Sequence, residues 1–154
     1  MQIDSTSPRD LDAVLAFFDA LNRHDVEGLL ATVHPEIVYT FHHAGFAPAR
    51  GIEEMRAAWT MMLATFPDVR EDILEVRARD GLVVVHWVLS GTLAGPLPLG
   101  SKIAIPSGRM PKVSIKGVDV FTLKDGLIAT KDSYADVGAW FEAYAPITVA
   151  AAAA

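Results

Sequence analysis

Residues 112–141 read KVSIKGVDVFTLKDGLIATKDSYADVGAWF, and this stretch decides the fold. It contains two strand-like runs joined by Lys-Asp-Gly at 124–126. Asp-Gly between two such runs is a strong hairpin signal, because the turn needs a positive φ that glycine adopts without steric cost. Asp119, Asp132 and Asp136 therefore lie on or beside paired strands. A carboxylate on a buried strand face is costly to desolvate, so these three aspartates are candidates for function.

The size and charge of the chain limit its class. Its 154 residues fit a single domain with a sizeable core, which we assign to residues 1–149, and we expect the Ala-rich run at 150–154 to be a disordered tail. The net charge is −6, so no basic surface offers counterion release and we do not expect nucleic acid as a partner. Cysteine is absent, which excludes disulfides, thiol nucleophiles and thiolate metal sites.

Signals for membranes, metals and cofactors are missing from the sequence. No stretch approaches the ~20 apolar residues of a membrane span, and the N-terminal MQIDSTSPRDLD does not resemble a secretion signal. We therefore expect a cytoplasmic protein without a membrane partner. We expect no metal and no cofactor, since the chain has no His-Glu-x-x-His element and the Gly/Pro-rich connection at 95–111 does not end as a phosphate-binding loop does. That connection is interpreted as a flap between strands.

Helical and strand-like patterns follow each other in two blocks. In chain order we predict helices at Pro8 to His24 and Val26 to Val33, a strand at Glu36 to Phe41, a helix beginning at Gly51, several strands beyond Val69, and a short helix at Asp136 to Tyr144. Apolar residues at helical spacing mark the helices, whereas alternation and Asp-Gly turns mark the strands. Three helices followed by a run of strands indicate an α+β fold rather than a doubly wound sheet.

This order of elements resembles the nuclear transport factor 2-like superfamily and, within it, the SnoaL-like polyketide cyclases. The matching pieces span roughly Leu11 to Phe141 and comprise VHPEIVYTF, GIEEMRAAWTMMLATFPDV, VVVHWVLSGTLAG, and DVFTLKDGLI followed by KDSYAD. The resemblance implies a cone-shaped roll, in which a curved, mostly antiparallel sheet wraps around three N-terminal helices and a short C-terminal helix closes the chain.

The resemblance also implies a function. We expect a cofactor-independent cyclase or isomerase that moves protons by acid/base catalysis on a small, largely apolar, polyketide-like carbonyl compound. Such folds host many chemistries. The alternatives are a non-catalytic module of the same fold that binds a small molecule or dimerises, and an epoxide hydrolase or dehydratase.

Asp119 is the first candidate catalytic residue. Its segment VDVFTLKDGLI is similar to the strand of ketosteroid isomerases that carries an aspartic acid in the oxyanion hole. On that resemblance, an uncharged Asp119 in an apolar site would donate a hydrogen bond to an oxygen that gains negative charge. The other interpretation places Asp119 on the outer face of the sheet, or pairs it with Lys112 or Lys116.

The strand that follows carries the other two aspartates. Strict alternation puts Ile128, Thr130, Asp132 and Tyr134 on one face and Ala129, Lys131, Ser133 and Ala135 on the other. Asp132 is either an acid in the pocket or a surface carboxylate paired with Lys131 or an arginine. Asp136 is either the N-cap of the last helix or the acid/base residue that SnoaL-like cyclases carry near this strand end. Proteins similar to limonene epoxide hydrolase have an aspartate where this chain has Ser133, which argues against that mechanism.

Histidines and aromatic residues complete the predicted site. His42 and His43 are adjacent on an extended segment, so one of them faces the mouth of the pocket and could assist as a general base, or be an ordinary loop histidine. His86 and Trp87 are neighbours on a strand, so one of them points inward. The predicted substrate-binding residues are Phe17, Tyr39, Trp59, His86, Trp87, Phe121 and Tyr134.

The outer face of the sheet gives a prediction about assembly. Alternation places Val118 and Val120 on the face opposite Asp119, where the pocket cannot use their apolar surface. We predict a homodimer that buries this face. Sedimentation velocity at micromolar concentration measures the assembly state directly, and a monomer under those conditions would contradict the prediction.

Overall fold

The computed structural model describes residues 1–42, 47–94 and 112–136. Several predicted features lie outside these ranges. They are His43, the connection at 95–111, the Ala-rich tail and, apart from Asp136, the helix predicted to run to Tyr144.

Three helices are present in the described part of the chain: α1 (Pro8–Asn22), α2 (Val26–Leu30) and α3 (Gly51–Thr65). The predicted starts are confirmed, and the Asp25 side chain caps α2 by accepting a hydrogen bond from the Gly28 N–H at 2.8 Å. The second helix ends earlier than predicted. Val33 begins a strand instead, because it pairs with Ile128 of a neighbouring strand, and Pro35 lies within that strand rather than ending a helix.

Among the described residues, seven strands form one open sheet: β1 (Gln2–Ser5), β2 (Val33–Phe41), β3 (Ala49–Arg50), β4 (Arg70–Arg79), β5 (Leu82–Thr92), β6 (Lys112–Lys124) and β7 (Leu127–Ala135). Their order is β1-β4-β5-β6-β7-β2-β3. Pairing is antiparallel except where β1 meets β4 and β2 meets β7. The predicted α+β class and the hairpin at Asp125-Gly126 are confirmed. The short strands β1 and β3 were not predicted.

The core lies between the helices and one face of the sheet, which we call the inner face. Phe17 and Phe18 of α1 meet Phe121 of β6 edge to face, with ring centroids 5.9 and 6.1 Å apart. Asp119 alternates on β6 with Ile115, Gly117 and Phe121, which are all buried, so Asp119 faces inward. The half-buried Val118 and Val120 lie on the opposite, outer face.

Two single-residue bulges decide which side chains of β4 and β7 face inward. On β7, Thr130 pairs with Thr122 but Ile128 pairs with Leu123, which leaves Ala129 as an extra residue. On β4, the pairing with β5 skips Leu74 in the same way. Alternation therefore restarts after each bulge.

The β7 bulge corrects the predicted faces. Ile128, Lys131 and Ser133 are all buried on the inner face, whereas Asp132 lies on the outer face and Tyr134 is exposed. Strict alternation put Ile128, Asp132 and Tyr134 on one common face, and that prediction is wrong because it did not include the extra residue, which separates Ile128 from the other two. The suggested pairing of Asp132 with Lys131 is wrong for the same reason.

The end of α1 is joined to the beginning of β4. The Asn22 amide donates to the Glu71 backbone oxygen at 2.9 Å, and its oxygen accepts from the Glu71 N–H at 2.8 Å. His24 Nε2 lies 2.9 Å from the Val69 backbone oxygen. These contacts fix the backbone of Glu71, whose side chain points inward.

A substitution at Asn22 tests this connection. Asn22→Ala leaves two backbone groups of Glu71 without their partner, and each unsatisfied buried group costs about 1–3 kcal/mol. We expect the free energy of unfolding in urea to fall by about 2 kcal/mol or more. Asp19→Ala, on the same helix but in an exposed ion pair with Arg23, is the control and should leave stability unchanged. Equal effects of the two variants would contradict the proposed connection.

Candidate active site

A largely apolar cavity of about 120 Å³ opens between α3 and the inner face of the sheet. One water needs about 10–15 Å³ by this measure, so the cavity accepts a molecule of roughly ten non-hydrogen atoms. Its apolar lining includes Phe41, Met61, Met62, Phe66, Leu89 and Ile115. The polar and aromatic groups among its described lining residues include Tyr39, Trp59, Glu71, Trp87, Lys131 and Ser133. A small-molecule site usually has this composition, with a few polar groups in an otherwise apolar lining.

Lys131 places an ammonium group in this apolar surrounding. Its side chain is 2% exposed, and Nζ lies 2.7 Å from Asp119 Oδ2 and donates to Ser133 Oγ at 2.6 Å. Four aromatic rings surround Nζ, with the Tyr39 ring centre nearest at 4.8 Å. Burial by itself would lower the pKa of Lys131, but the attraction of Asp119, Tyr39 and Glu71 raises that pKa above its ordinary value. The Lys131 side chain is therefore protonated and positively charged at neutral pH.

Asp119 is fully buried on β6 and lies next to Lys131. The alternative that placed Asp119 on the outer face or paired it with Lys112 or Lys116 is wrong, because β7 presents Lys131 on the inner face. Neither Asp119 oxygen accepts a well-directed hydrogen bond from the described residues, so the contact with Lys131 is an ion pair held by charge. Asp119 is also absent from the described cavity lining and lies behind Lys131. This position suits a partner for Lys131 better than a direct donor to a ligand.

Glu71, like Lys131, is a functional candidate that the sequence reasoning missed. It lies on β4, is 4% exposed, and lines the cavity. Burial raises the pKa of Glu71 to about 8, although Lys131 opposes part of that rise. Its Oε2 atom has no hydrogen-bond partner among the described residues. A buried carboxyl that titrates near neutral pH is typical of a catalytic acid or base.

Strand alternation gives no signal for Glu71. Counting back from the buried Val76, strict alternation places Glu71 on the outer face, and only the extra residue Leu74 brings it inward. Glu71 is followed by the exposed Asp72, so the local sequence does not mark it as buried either.

Three of the predicted wall residues line the cavity. Tyr39 and Trp59 stack nearly parallel, with ring centres 6.0 Å apart and an interplanar angle of 14°. Burial raises the pKa of Tyr39, so its phenol stays neutral. Trp87 is the inward member of the His86-Trp87 pair.

The other predicted wall residues lie elsewhere. Phe17 and Phe121 are fully buried in the core behind Lys131 and are not among the described lining residues of the cavity. His86 lies on the outer face, where it pairs with Val118 and Glu75. Tyr134 is 49% exposed. The placement of His86 and Tyr134 on a cavity wall is therefore corrected.

His42 and Asp132 meet outside the cavity. His42 Nε2 lies 2.7 Å from Asp132 Oδ1, and the His42 ring stacks on Tyr134 with ring centres 4.3 Å apart. Both the histidine and the aspartate side chains are more than a third exposed. Of the two alternatives for Asp132, the structure therefore shows the surface carboxylate, paired with His42 rather than with Lys131 or an arginine. His42 does not line the cavity, and His43, the other candidate for the pocket mouth, lies outside the described residues. Asp136 is exposed, and its backbone N–H donates to the Lys116 oxygen at 2.9 Å.

Within residues 1–42, 47–94 and 112–136, no three side chains of histidine, cysteine, aspartate or glutamate form a group that could hold a metal ion. No helix in these ranges is long and apolar enough to cross a membrane.

The buried ion pair gives a testable prediction. Removing one charge leaves the other buried and unpaired, which costs about 3–5 kcal/mol. We expect Lys131→Met and Asp119→Leu each to lower the free energy of unfolding by that amount, whereas the double variant regains most of the loss. Urea unfolding of the three variants measures this directly. Arg70→Ala, which breaks an exposed ion pair with Asp72, is the control, and additive losses in the double variant would rule out the coupling.

Comparison with known proteins agrees with this architecture. A protein from Jannaschia sp. CCS1 assigned as a SnoaL-like polyketide cyclase is 27% identical, with a TM-score of 0.74 over 88% of this chain and 91% of that chain. TsrD from Streptomyces laurentii is also 27% identical, with a TM-score of 0.71 over 88% of this chain and 93% of that chain. An LEH-like epoxide hydrolase of M. tuberculosis is 21% identical, with a TM-score of 0.69 over 94% of this chain and 96% of that chain, and it shares the fold.

Comparison of the sequence with curated proteins and with family models identifies the family. Among curated proteins none matches the chain significantly. The family model of the SnoaL-like domain matches residues 14–131, which cover α1 from its middle to the inward-facing part of β7. The chain belongs to the SnoaL-like domain family.

Proposed function

We propose that this SnoaL-like domain is a cofactor-independent enzyme that moves a proton at a carbon next to a carbonyl, leading to isomerisation or cyclisation of a small, largely apolar compound. The observation that carries the proposal is that Glu71 and Lys131 both line one apolar cavity. A buried carboxyl and a buried ammonium are costly to place there without a use.

The two groups approach the cavity from different strands. Glu71 is on β4 in register with Leu89, and Lys131 is on β7 in register with Phe121, so β5 and β6 lie between them. Each influences the other's pKa across the cavity. A ligand between the two strands would have the carboxyl on one side and the ammonium on the other.

The chemistry follows from these positions. The ionised Glu71 carboxylate takes a proton from the carbon, the C–H bond breaks, and its electron pair moves to the carbonyl oxygen as an enolate. Lys131 donates a hydrogen bond to that oxygen, and its fixed positive charge stabilises the developing negative charge. In an isomerisation Glu71 then returns the proton to carbon, either at the same atom or at another one. In a cyclisation the enolate carbon bonds to a second carbonyl carbon of the same molecule, the π electrons of that carbonyl move to its oxygen, and Glu71 returns the proton to this oxygen. Protons and electrons balance without a co-reactant.

Asp119 has a positioning role in this proposal. An ammonium has three donors. Ser133 takes one, and Asp119 Oδ2 holds the group by charge, which leaves Lys131 capacity to bind a ligand oxygen. Asp119 therefore keeps Lys131 charged and in place without contacting the ligand. The proposal assigns acid/base catalysis to Glu71 instead of Asp132, Asp136 or His42, which lie on the outer face or are exposed.

A non-catalytic binding module is the second candidate. The observation that favours it is the close contact of Lys131 with both Asp119 and Ser133. If these two contacts satisfy the ammonium, Lys131 serves only to balance the charge of Asp119 and takes no part in a reaction. Epoxide hydrolysis has less support, because the inward position at 133 is a serine already bonded to Lys131.

Hydrogen/deuterium exchange tests the proposal without knowledge of the natural substrate. We expect the protein to accelerate exchange at the acidic CH2 of 2-tetralone in D2O, measured by proton NMR. Glu71→Gln should lower the catalysed rate by about 10²–10⁴, the usual contribution of a general base. Lys131→Met in the Asp119→Leu background, which avoids an unpaired buried charge, should lower it by about 10²–10³.

The pH dependence of the exchange rate gives an independent test of the role of Glu71. Glu71 acts as the ionised base, so the exchange rate at low substrate should rise tenfold per pH unit up to about 8 and then level off. Glu75→Gln, on the outer face of the same strand, is the matched control and should leave both rate and profile unchanged. Binding of 2-tetralone without any acceleration would contradict catalysis and support the binding module.

A further inference from the structure

Trp87 occupies a site that depends on Gly117. The two residues pair directly across β5 and β6. A Cβ placed on Gly117 would lie only 2.2 Å from Cζ2 of the Trp87 indole, so the ring rests directly on the glycine. Any larger residue at 117 would displace it. The orientation of Trp87 is thus fixed by the sheet beneath it.

The indole N–H of Trp87 has no acceptor in the described part of the chain. Trp87 is 3% exposed and lines the cavity, yet its Nε1 has no hydrogen-bond partner among the described residues. A buried tryptophan N–H normally finds a partner, because leaving it unsatisfied costs free energy. The cavity is where a ligand can supply one.

Sheet register locates this donor between the two groups of the proposed mechanism. Trp87 shares a row with Gly117 and Ala135, and the neighbouring row contains Asp119 and Ser133, which hold the Lys131 ammonium. The row on the other side contains Glu71 and Leu89. Equivalent rows are about 7 Å apart along a strand. Trp87 therefore lies between the row that holds the Lys131 ammonium and the row of Glu71, where a ligand that contacts both groups would meet it.

We propose that Trp87 is a specificity-determining residue, whose indole N–H donates a hydrogen bond to the carbonyl oxygen of the ligand, the same oxygen that accepts from Lys131, and so selects oxygenated ring compounds over hydrocarbons of the same shape. The inference rests on the proposed function only in taking this cavity as the ligand site and Lys131 as a donor to that oxygen. It requires no proton transfer, so its test is separate from the exchange experiment.

The test uses the indole N–H signals of 15N-tryptophan-labelled protein. Trp87→Phe and Trp59→Phe identify the signals of these two residues. We expect 2-tetralone to move the Trp87 N–H proton signal downfield, as hydrogen bonding does, whereas tetralin, which has the same ring system without the oxygen, should not. Trp87→Phe, which keeps an aromatic ring but removes the donor, should weaken 2-tetralone binding roughly fivefold, the factor for one neutral hydrogen bond. It should leave tetralin binding nearly unchanged.

Three results would overturn the inference. They are bound 2-tetralone with an unmoved Trp87 signal, equal loss of affinity for both probes in Trp87→Phe, or no binding of either probe. Gly117→Ala provides a second variant, which should displace the ring and abolish the downfield shift while circular dichroism reports whether the fold persists. If Gly117→Ala unfolds, Trp87→Phe alone decides. A Trp87 shift without catalysed exchange would contradict the proposed function and leave this inference standing.

Discussion

The buried contact between Lys131 and Asp119 is the constraint on which the rest of the site depends. An ammonium in an apolar environment is tolerated only with an opposite charge close by, and Asp119 supplies it from the neighbouring strand at 2.7 Å. Aromatic rings around Nζ add attraction without adding hydrogen bonds. Because Lys131 remains charged, it also lowers the pKa of Glu71 from the still higher value that burial alone would produce. The protonation states on both sides of the cavity are therefore linked to one ion pair.

Burial and neighbouring charges act in opposite directions on the pKa of Glu71 and on the pKa of Lys131, and a different effect is the larger one in each residue. Glu71 is mainly protonated at neutral pH because desolvation outweighs the attraction of Lys131, whereas Lys131 stays charged because its partners outweigh desolvation. For Glu71 the folded-state pKa lies above that of the unfolded chain, so the folded state binds the proton more tightly and its stability falls as pH rises from about 4.5 towards 8. The ionised form of Glu71, which the proposed reaction needs, is therefore also the form that lowers the stability of the folded protein.

The sequence was sufficient for the class of the fold and for part of the site. Helical spacing in α1 and α3, the Asp-Gly turn and the succession of strands predicted the α+β arrangement, and Tyr39, Trp59 and Trp87 were correctly expected at a cavity. Residues on β4 and β7 were assigned to the wrong faces or overlooked. Alternation is a local rule, and it fails wherever a strand contains an extra residue that only its pairing partner reveals. Glu71 and Lys131 both face inward because of such a residue, Leu74 in one strand and Ala129 in the other.

The bulge at Ala129 has a consequence for how this family can diverge. Deleting that one residue would restore strict alternation relative to the preceding part of β7. Lys131 and Ser133 would stay on the inner face, now in strict alternation with Ile128. If β7 instead kept Ala129 and paired without a bulge, the strand beyond it would turn over and bring Asp132 and Tyr134 inward, which exchanges a cationic site for an acidic one. Residue roles transferred between relatives through an ungapped alignment of this strand would be displaced by one position.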